Sequence, residues 1–314
     1  MNAPLEPESL EVSAGQAEHA RLLRLATRAA VLVALVLIVA KAIAWVVTDS
    51  VAILSSLLDS VLDAGASLVN LVAVSHALTP ADDEHRFGHG KAEALAGLAQ
   101  SAFISGSAIF LLAESAQRLH DPRALTHDGV GLAVMVGSLV LTVGLVLLQR
   151  HVIRRTGSLA ISADSVHYQS DVAASVGVIV AILLSTRLGW VHADALVALL
   201  VAIYILHGAW RIAGGSLDQL MDRELPAEQR DLIQRLALEH AQVLGMHDLR
   251  TRASGSQSFI QLHLELESTL SFVEAHGIGV AVQAAICEAF PTAEVIIHQD
   301  PVEGSPAAAE TLAS

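Results

Sequence analysis

The fold is decided by residues 51–78, VAILSSLLDSVLDAGASLVNLVAVSHAL, a largely apolar stretch that is long enough to cross a lipid bilayer. The stretch nevertheless carries two carboxylates, Asp59 and Asp63, which lie four residues apart and therefore on one face of a helix. Because an ionised aspartate in hydrocarbon is energetically costly, a transmembrane helix keeps such a pair only where it lines a cavity or meets a cation. The stretch predicts a membrane helix with a polar site inside the bilayer.

A second apolar stretch, residues 161–186, repeats the arrangement with His167 and Asp171. Brought together, the four side chains offer one imidazole and three carboxylates, a ligand set suited to a tetrahedral divalent metal. The alternative is pairing with a buried base, but the candidate in the first helix is Lys41, and one lysine cannot neutralise three acids. Asp164, one turn before His167, has two possible roles. It is either a further polar group of this site or a residue that interacts with the positive end of the helix dipole.

Composition limits the class of protein. The 314 residues are 53% hydrophobic and 16% charged, with a mean hydropathy of +0.56, which is typical of a membrane protein. The net charge of −14 argues against nucleic-acid binding, which needs basic patches. The single cysteine, Cys287, excludes an intramolecular disulfide and a cysteine-based metal cluster, so histidine and carboxylate are the available strong ligands.

Six apolar segments follow one another, each close to the roughly 20 residues that a bilayer requires. We expect membrane helices at 25–47, 51–78, 94–118, 128–149, 161–186 and 192–213. Arginine and lysine are concentrated before the first helix and in the second and fourth connections, so the positive-inside rule puts both termini in the cytoplasm. We therefore predict a multi-pass protein of the cell inner membrane.

Four parts are expected along the chain. They are a disordered tail over 1–20, a six-helix membrane domain over 21–215, a cytosolic domain over 216–302 and a disordered tail over 303–314. In the cytosolic part, the pattern predicts a helix at 227–242, strands at 243–254 and 256–266, a helix at 271–290 and a strand at 293–298. The predicted fold class is a bundle of six transmembrane helices followed by a small α+β domain.

Two further groups of residues have metal-ligand character. In the connection after residue 78, Asp82, His85 and His89 have spacings that a loop can gather around one ion, although an acidic loop is also common as solvated surface. The second group is scattered through the cytosolic part, where ordinary surface histidines are the alternative. Its members are His247, His263, His276, His298 and Asp300.

The sequence resembles the cation diffusion facilitators, and among them the bacterial zinc and ferrous-iron efflux branch. The segments that carry the resemblance are SVAILSSLLDSVLDAGASLVN, PADDEHRFGHGKAEALA, ADSVHYQSDVAASVG, HDLRTRASG and VIIHQDP. The resemblance covers nearly the whole chain apart from its ends. It implies a homodimer whose cytosolic domain is ferredoxin-like, or metallochaperone-like.

The resemblance also implies roles for particular residues. Asp59, Asp63, His167 and Asp171 match the transport site of the family, and Asp82, His85 and His89 match a site in the loop. His247, His263, His276, His298 and Asp300 match a binuclear site that helps join two cytosolic domains. Lys91 and Asp222 match a charge pair near the membrane surface.

The expected function is proton-coupled efflux of a divalent transition metal, with Zn²⁺ favoured and Fe²⁺ or Cd²⁺ also suited to the ligands. The metal is expected to be the substrate and also a structural or regulatory ion. We expect neither enzyme activity nor a catalytic cofactor. An exporter dedicated to Fe²⁺ or Mn²⁺ and a membrane metal sensor without transport are the alternatives. An intramembrane metallohydrolase is disfavoured, because no H-E-x-x-H helix is present.

Overall fold

The computed structural model describes residues 7–49, 51–120, 129–188, 190 and 192–302. The chain divides into two compact units, of which the first spans Ser13–Leu220 and the second contains Met221–Ser314. Helix α1 begins at Pro7, inside the segment for which the sequence predicts a disordered tail, and proline is favoured in the first turn of a helix. Residues 1–6 and the predicted tail at 303–314 lie outside the described residues.

Six long helices make up the first unit. They are α1 (Pro7–Thr48), α2 (Val51–Ala77), α3 (Lys91–His120), α4 (Gly129–Thr156), α5 (Leu159–Leu188) and α6 (Ala193–Leu220). Within the described ranges, five of the helices are long and apolar enough to cross a membrane, and α5 is not among them. A membrane domain is therefore established, whereas the sixth span stays a prediction.

Helix α5 carries several polar residues, and it is placed so that they meet protein. It packs against α2, α3, α4 and α6, and nearly every residue from Ala160 to Ser170 is buried or half-buried. Intramembrane polar residues are tolerated where they face the interior of a bundle. By contrast, α1 exposes Leu32, Val39 and Val46, as a lipid-facing helix does.

Helices α3 and α6 pack closely at Gly97. A Cβ atom on Gly97 would lie 2.6 Å from Ser216 Oγ, so a larger residue there would require the Ser216 hydroxyl to move.

The second unit is a small α+β domain. Its elements are α7 (Ala227–Leu238), β1 (Gly245–Ser254), β2 (Gln257–Glu267), α8 (Phe272–Ala289) and β3 (Ala293–Val302). Strand β2 is central, antiparallel to β1 and parallel to β3, so α8 is the crossover between the parallel strands. The predicted order of helices and strands is confirmed, whereas a ferredoxin-like fold stays a prediction.

One face of the sheet is apolar and the other carries histidine. On β2, Ile260, Leu262 and Leu264 are buried in one core with Ile233 of α7 and Ile286 of α8. Because alternate residues of a strand point to opposite faces, His263 and Glu265 lie on the face away from this core. The sheet therefore presents its titratable residues on a surface that the helices do not cover.

Candidate metal sites

Helices α2 and α5 bring Asp63, His167 and Asp171 together inside the membrane unit. One ligand atom from each residue lies within 4.8 Å of the other two, and His167 Nε2 is 2.9 Å from Asp63 Oδ1. The side chain of His167 is only 8% exposed, and that of Asp63 is 21% exposed. Imidazole and carboxylate groups in such a protected position suit a divalent transition metal.

Asp59, the fourth residue predicted for this site, lies one turn before Asp63 on α2. It lines a cavity of about 660 Å³ together with Asp63, His167 and Asp171. Among the described residues, however, Asp59 is outside the group of three whose ligand atoms lie close together. The structure therefore gathers three of the predicted ligands and puts the fourth on the wall of the same space.

Lys41 of α1 is held at the edge of this acidic region. It lines a second cavity, of about 200 Å³, with Asp59, Asp63 and Asp171. Its ammonium donates a hydrogen bond of 2.7 Å to Ser60 Oγ and one of 3.1 Å to the carbonyl oxygen of Ser56. Lys41 therefore contributes positive charge near the site.

Asp164 occupies a separate buried network. Its side chain accepts hydrogen bonds from Gln149 Nε2 at 2.7 Å, from Gln100 Nε2 at 3.3 Å and from Ser67 Oγ at 3.3 Å. The residue is fully buried, and its three donors come from α4, α3 and α2. Asp164 therefore connects α5 to three neighbouring helices, which answers the question that the sequence left open.

The loop between α2 and α3 gathers Asp82, His85 and His89. Their ligand atoms lie within 4.8 Å of one another, with Asp82 Oδ1 3.3 Å from His85 Nδ1 and Asp82 Oδ2 3.4 Å from His89 Nε2. Zinc bonds of about 2.0–2.1 Å in tetrahedral geometry put ligand atoms about 3.3 Å apart. The predicted loop residues are therefore already spaced as ligands of one metal ion.

Backbone hydrogen bonds hold the Asp82 carboxylate in place. Its Oδ1 accepts the backbone N–H of His85 at 2.6 Å and that of Glu84 at 3.0 Å. These bonds, led by that from His85, hold the pKa of Asp82 below its usual range. The carboxyl group is therefore ionised at neutral pH, as a metal ligand must be.

Three adjacent strands place His247, His263 and His298 in one row on the exposed face of the sheet. His247 pairs with His263 across β1 and β2, and His263 pairs with His298 across β2 and β3. Asp300 lies 2.8 Å from His263 Nδ1, 3.1 Å from His298 Nε2 and 3.3 Å from His247 Nε2. The hydrogen bond with His263 lowers the pKa of Asp300. The ligand atoms of His247, His263 and Asp300 lie within 4.8 Å of one another, and His298 lies beside this group. Imidazoles with an ionised carboxylate suit a tetrahedral metal ion.

His276, the fifth residue predicted for this cluster, is elsewhere. It is exposed on α8, where its ring stacks on Phe272 with centroids 6.2 Å apart. Within the part of the chain that the structure describes, His276 is outside the metal-ligand group.

Two acidic neighbours of the cluster were missed by sequence reasoning. Glu265 Oε1 lies 3.1 Å from His247 Nδ1, and the alternation of β2 could have revealed it, since Glu265 follows His263 by two residues. Asp248 Oδ2 lies 3.9 Å from His263 Nε2. It has a φ of 48° at a shift in register between His247 and Arg250, and no sequence pattern signals this bulge.

The charge pair expected between Lys91 and Asp222 stays a prediction. Lys91 Nζ donates to the carbonyl oxygen of Leu220 at 3.4 Å. Asp222 Oδ1 lies 3.3 Å from a guanidinium nitrogen of Arg252.

Comparison with known proteins identifies the family. Residues 27–221 match the cation efflux transmembrane domain, and residues 225–302 match the cation efflux protein, cytoplasmic domain. The chain belongs to the cation efflux family. This finding confirms the resemblance to the cation diffusion facilitators, and it makes the chain a membrane protein of a transporter family with a C-terminal cytoplasmic domain.

Relatives support the assignment along most of the chain. Two proteins called cation-efflux pump FieF, from Escherichia coli O1:K1 / APEC and Escherichia coli O139:H28 (strain E24377A / ETEC), are each 49% identical over 283 residues. The match covers 90% of this chain and 94% of each relative. A solved structure of the zinc form of CzrB, described as a candidate zinc transporter, is 33% identical with a TM-score of 0.25, covering 26% of this chain and 92% of that one. A TM-score this low supports no conclusion about the fold.

Proposed function

We propose that this cation efflux protein exports a divalent transition metal from the cytosol in exchange for protons. The observation that carries the proposal is the buried group of Asp63, His167 and Asp171, with Asp59 on the wall of the same cavity. Buried charges of this kind mark ion pathways in membrane proteins. The helices would rock so that the site opens alternately to the cytosol and to the exterior.

Zn²⁺ is the favoured substrate. One imidazole and three carboxylates can also hold Fe²⁺, Cd²⁺ or Mn²⁺, but the imidazole favours zinc or iron over manganese, and zinc takes tetrahedral sites most readily. The FieF relatives are called cation-efflux pumps, a name that agrees with export but specifies no metal.

Proton exchange follows from the chemistry of the ligands. A carboxylate or imidazole must be deprotonated to bind a metal ion, so metal binding expels protons and protonation expels the metal. If the exterior is more acidic than the cytosol, the same ligands release metal outside and return with protons. No other coupling group is needed.

The two remaining clusters would act outside the transport step. We propose that the protein is a homodimer, as a cytoplasmic domain of this family suggests, with both termini in the cytoplasm. Metal at His247, His263, His298 and Asp300 would fix the cytoplasmic domain in one arrangement and so report the cytosolic metal concentration. The loop site, at the end of α2, would bind a structural or regulatory ion.

Transport into proteoliposomes tests the proposal. Purified protein is inserted with its cytosolic face outward, and Zn²⁺, Fe²⁺ and Mn²⁺ uptake is measured together with a pH-sensitive dye. Zn²⁺ should enter while protons leave, and Asp59→Ala should abolish both movements. The matched control is Asp231→Ala, which removes an exposed carboxylate from α7 and should transport normally.

The alternatives give different results in the same assay. Uptake of Fe²⁺ or Mn²⁺ without Zn²⁺ would identify a dedicated exporter of that metal. Metal binding without uptake would make the protein a sensor, and uptake that survives Asp59→Ala would remove Asp59 from the transport site.

A further inference from the structure

His76 lies in the last turn of α2, beside the loop cluster, and sequence spacing does not connect it to that cluster. Its ring centroid is 4.5 Å from that of His89, with the rings inclined at 62°. The ring of His85 also lies 4.6 Å from that of His89. His76 is outside the group whose ligand atoms all lie within 4.8 Å of one another, Asp82, His85 and His89, but its ring is in contact with a member of that group.

The spacing of the rings fits coordination to a shared ion. Two imidazoles bound to one tetrahedral metal at about 2.0–2.1 Å have ring centroids about 5 Å apart. Both distances to His89 lie close to this value. In the cytoplasmic cluster, His263 lies 5.1 Å from His247 and 4.6 Å from His298 by the same measure.

The backbone fixes His76 and His89 next to each other. The N–H of Thr79 donates to the carbonyl of His76 at 2.9 Å, which turns the chain at the end of α2. The carbonyl of Thr79 in turn lies 3.3 Å from His89 Nδ1. Because a carbonyl can only accept, Nδ1 carries the proton and His89 Nε2 presents a lone pair toward Asp82 Oδ2.

The burial pattern is that of an accessible site with one anchored ligand. The side chain of His89 is 5% exposed, whereas those of His85 and Asp82 are 56% and 51% exposed. His76 is also exposed. A metal ion from the cytosol could therefore reach the ligands, and the exposed side chains could adjust around it.

We propose that His76 is the fourth ligand of the loop site, completing a centre of three imidazoles and one carboxylate with Asp82, His85 and His89. The inference rests on the proposed loop site. It adds a metal preference to that site, because imidazole suits Zn²⁺ whereas carboxylate suits Mn²⁺. The ion joins the end of α2 to the start of α3, which begins at Lys91. Simple packing of imidazole rings is the competing explanation.

Cobalt spectroscopy on the full-length protein separates coordination from ring packing. In a background with Asp63→Ala and His263→Ala, which disables the other two clusters, Co²⁺ is titrated and its visible absorption recorded. A four-coordinate ion absorbs strongly, and an ion with more ligands absorbs weakly. His76→Phe, which keeps a ring beside His89, should lose the strong band and lower Co²⁺ and Zn²⁺ affinity by on the order of 10- to 100-fold.

A rescue variant tests direct contact. With His76→Cys, a sulfur-to-cobalt charge-transfer band should appear in the near ultraviolet, because this band requires a bond between residue 76 and the metal. A normal visible band and affinity in His76→Phe, or no charge-transfer band in His76→Cys, would overturn the proposal.

His89→Ala distinguishes failure of this inference from failure of the loop site. If His89→Ala loses the metal while His76→Phe binds it normally, the loop site stands and His76 is not a ligand. If neither variant changes binding, the loop site and the inference both fall. Transport is measured separately with Asp59→Ala, so the proposed export activity does not depend on either result.

Discussion

Replacing Asp164 by alanine should destabilise the membrane unit measurably. The substitution removes three hydrogen bonds, from Gln149, Gln100 and Ser67, at a residue that is fully buried. Tyr168 remains a partner for Ser67 at 2.8 Å, but the two amide groups lose their acceptor. Unpaired polar groups inside a bundle are costly because neither lipid nor water replaces the lost partner.

The size of the effect follows from measured hydrogen bonds in membranes. Such bonds contribute about 0.6 kcal/mol on average and about 1.7 kcal/mol at most, so three of them give a loss of about 2–5 kcal/mol. Asp164→Asn should cost much less. Gln149 Oε1 is buried without a hydrogen-bond partner, so rotation of the Gln149 amide would let this oxygen accept from the introduced amide.

Reversible unfolding in mixed lipid and detergent micelles gives the free energy of unfolding of the unmodified protein and of each variant. Ser162→Ala is the control. Ser162 lies on the same helix, and its hydroxyl donates to the carbonyl oxygen of Ser158, one turn earlier, at 2.7 Å. It should change stability by less than about 0.5 kcal/mol. If Asp164→Ala is no more destabilising than Ser162→Ala, the network does not hold α5 in place.

Two predictions concern the cytoplasmic cluster. His263→Ala removes the central imidazole of the row and should raise the Zn²⁺ concentration for half-maximal transport without abolishing transport; a total loss would show that the cluster is part of the transport step. Co²⁺ binding to the cytoplasmic cluster in the full-length protein should weaken as the pH falls from about 7.5 to about 5.5, because protons displace a metal ion from its ligands. The pKa of Asp300 is lowered, so this carboxylate stays ionised over that range. A Co²⁺ affinity that does not change with pH would contradict the role of the histidines.

Much of the fold could be predicted because the hydrophobic pattern reports the environment of each helix. The predicted segment 51–78 corresponds to α2 at Val51–Ala77, and the predicted helix at 271–290 corresponds to α8 at Phe272–Ala289. Other boundaries are less accurate: α4 and α6 end at Thr156 and Leu220, seven residues after the predicted 149 and 213, and α7 ends at Leu238 and not at 242. For α7 the reason is a turn. There the chain turns at residues 239–244 before β1, and apolar periodicity carries no information about a turn.

The candidate ligands could be predicted where local spacing was enough. Asp63 with Asp59, His167 with Asp171, and Asp82 with His85 and His89 each lie on one helix or in one loop. Contacts across elements could not be predicted in this way. The donors to Asp164 come from residues 67, 100 and 149, and a single sequence does not say which glutamine faces which acid.

The three clusters differ in donor chemistry, and the difference bears on what each can do. The proposed membrane site has one imidazole and three carboxylates when Asp59 is counted with the three gathered residues. The proposed cytoplasmic site has three imidazoles and one carboxylate when His298 is counted, and His76 would give the loop the same set. A transported ion must bind well enough to enter and weakly enough to leave. A regulatory ion must instead remain bound while the helices move. Since imidazole is the better ligand for zinc, nitrogen-rich sites suit retention, and the oxygen-rich site in the bilayer suits release.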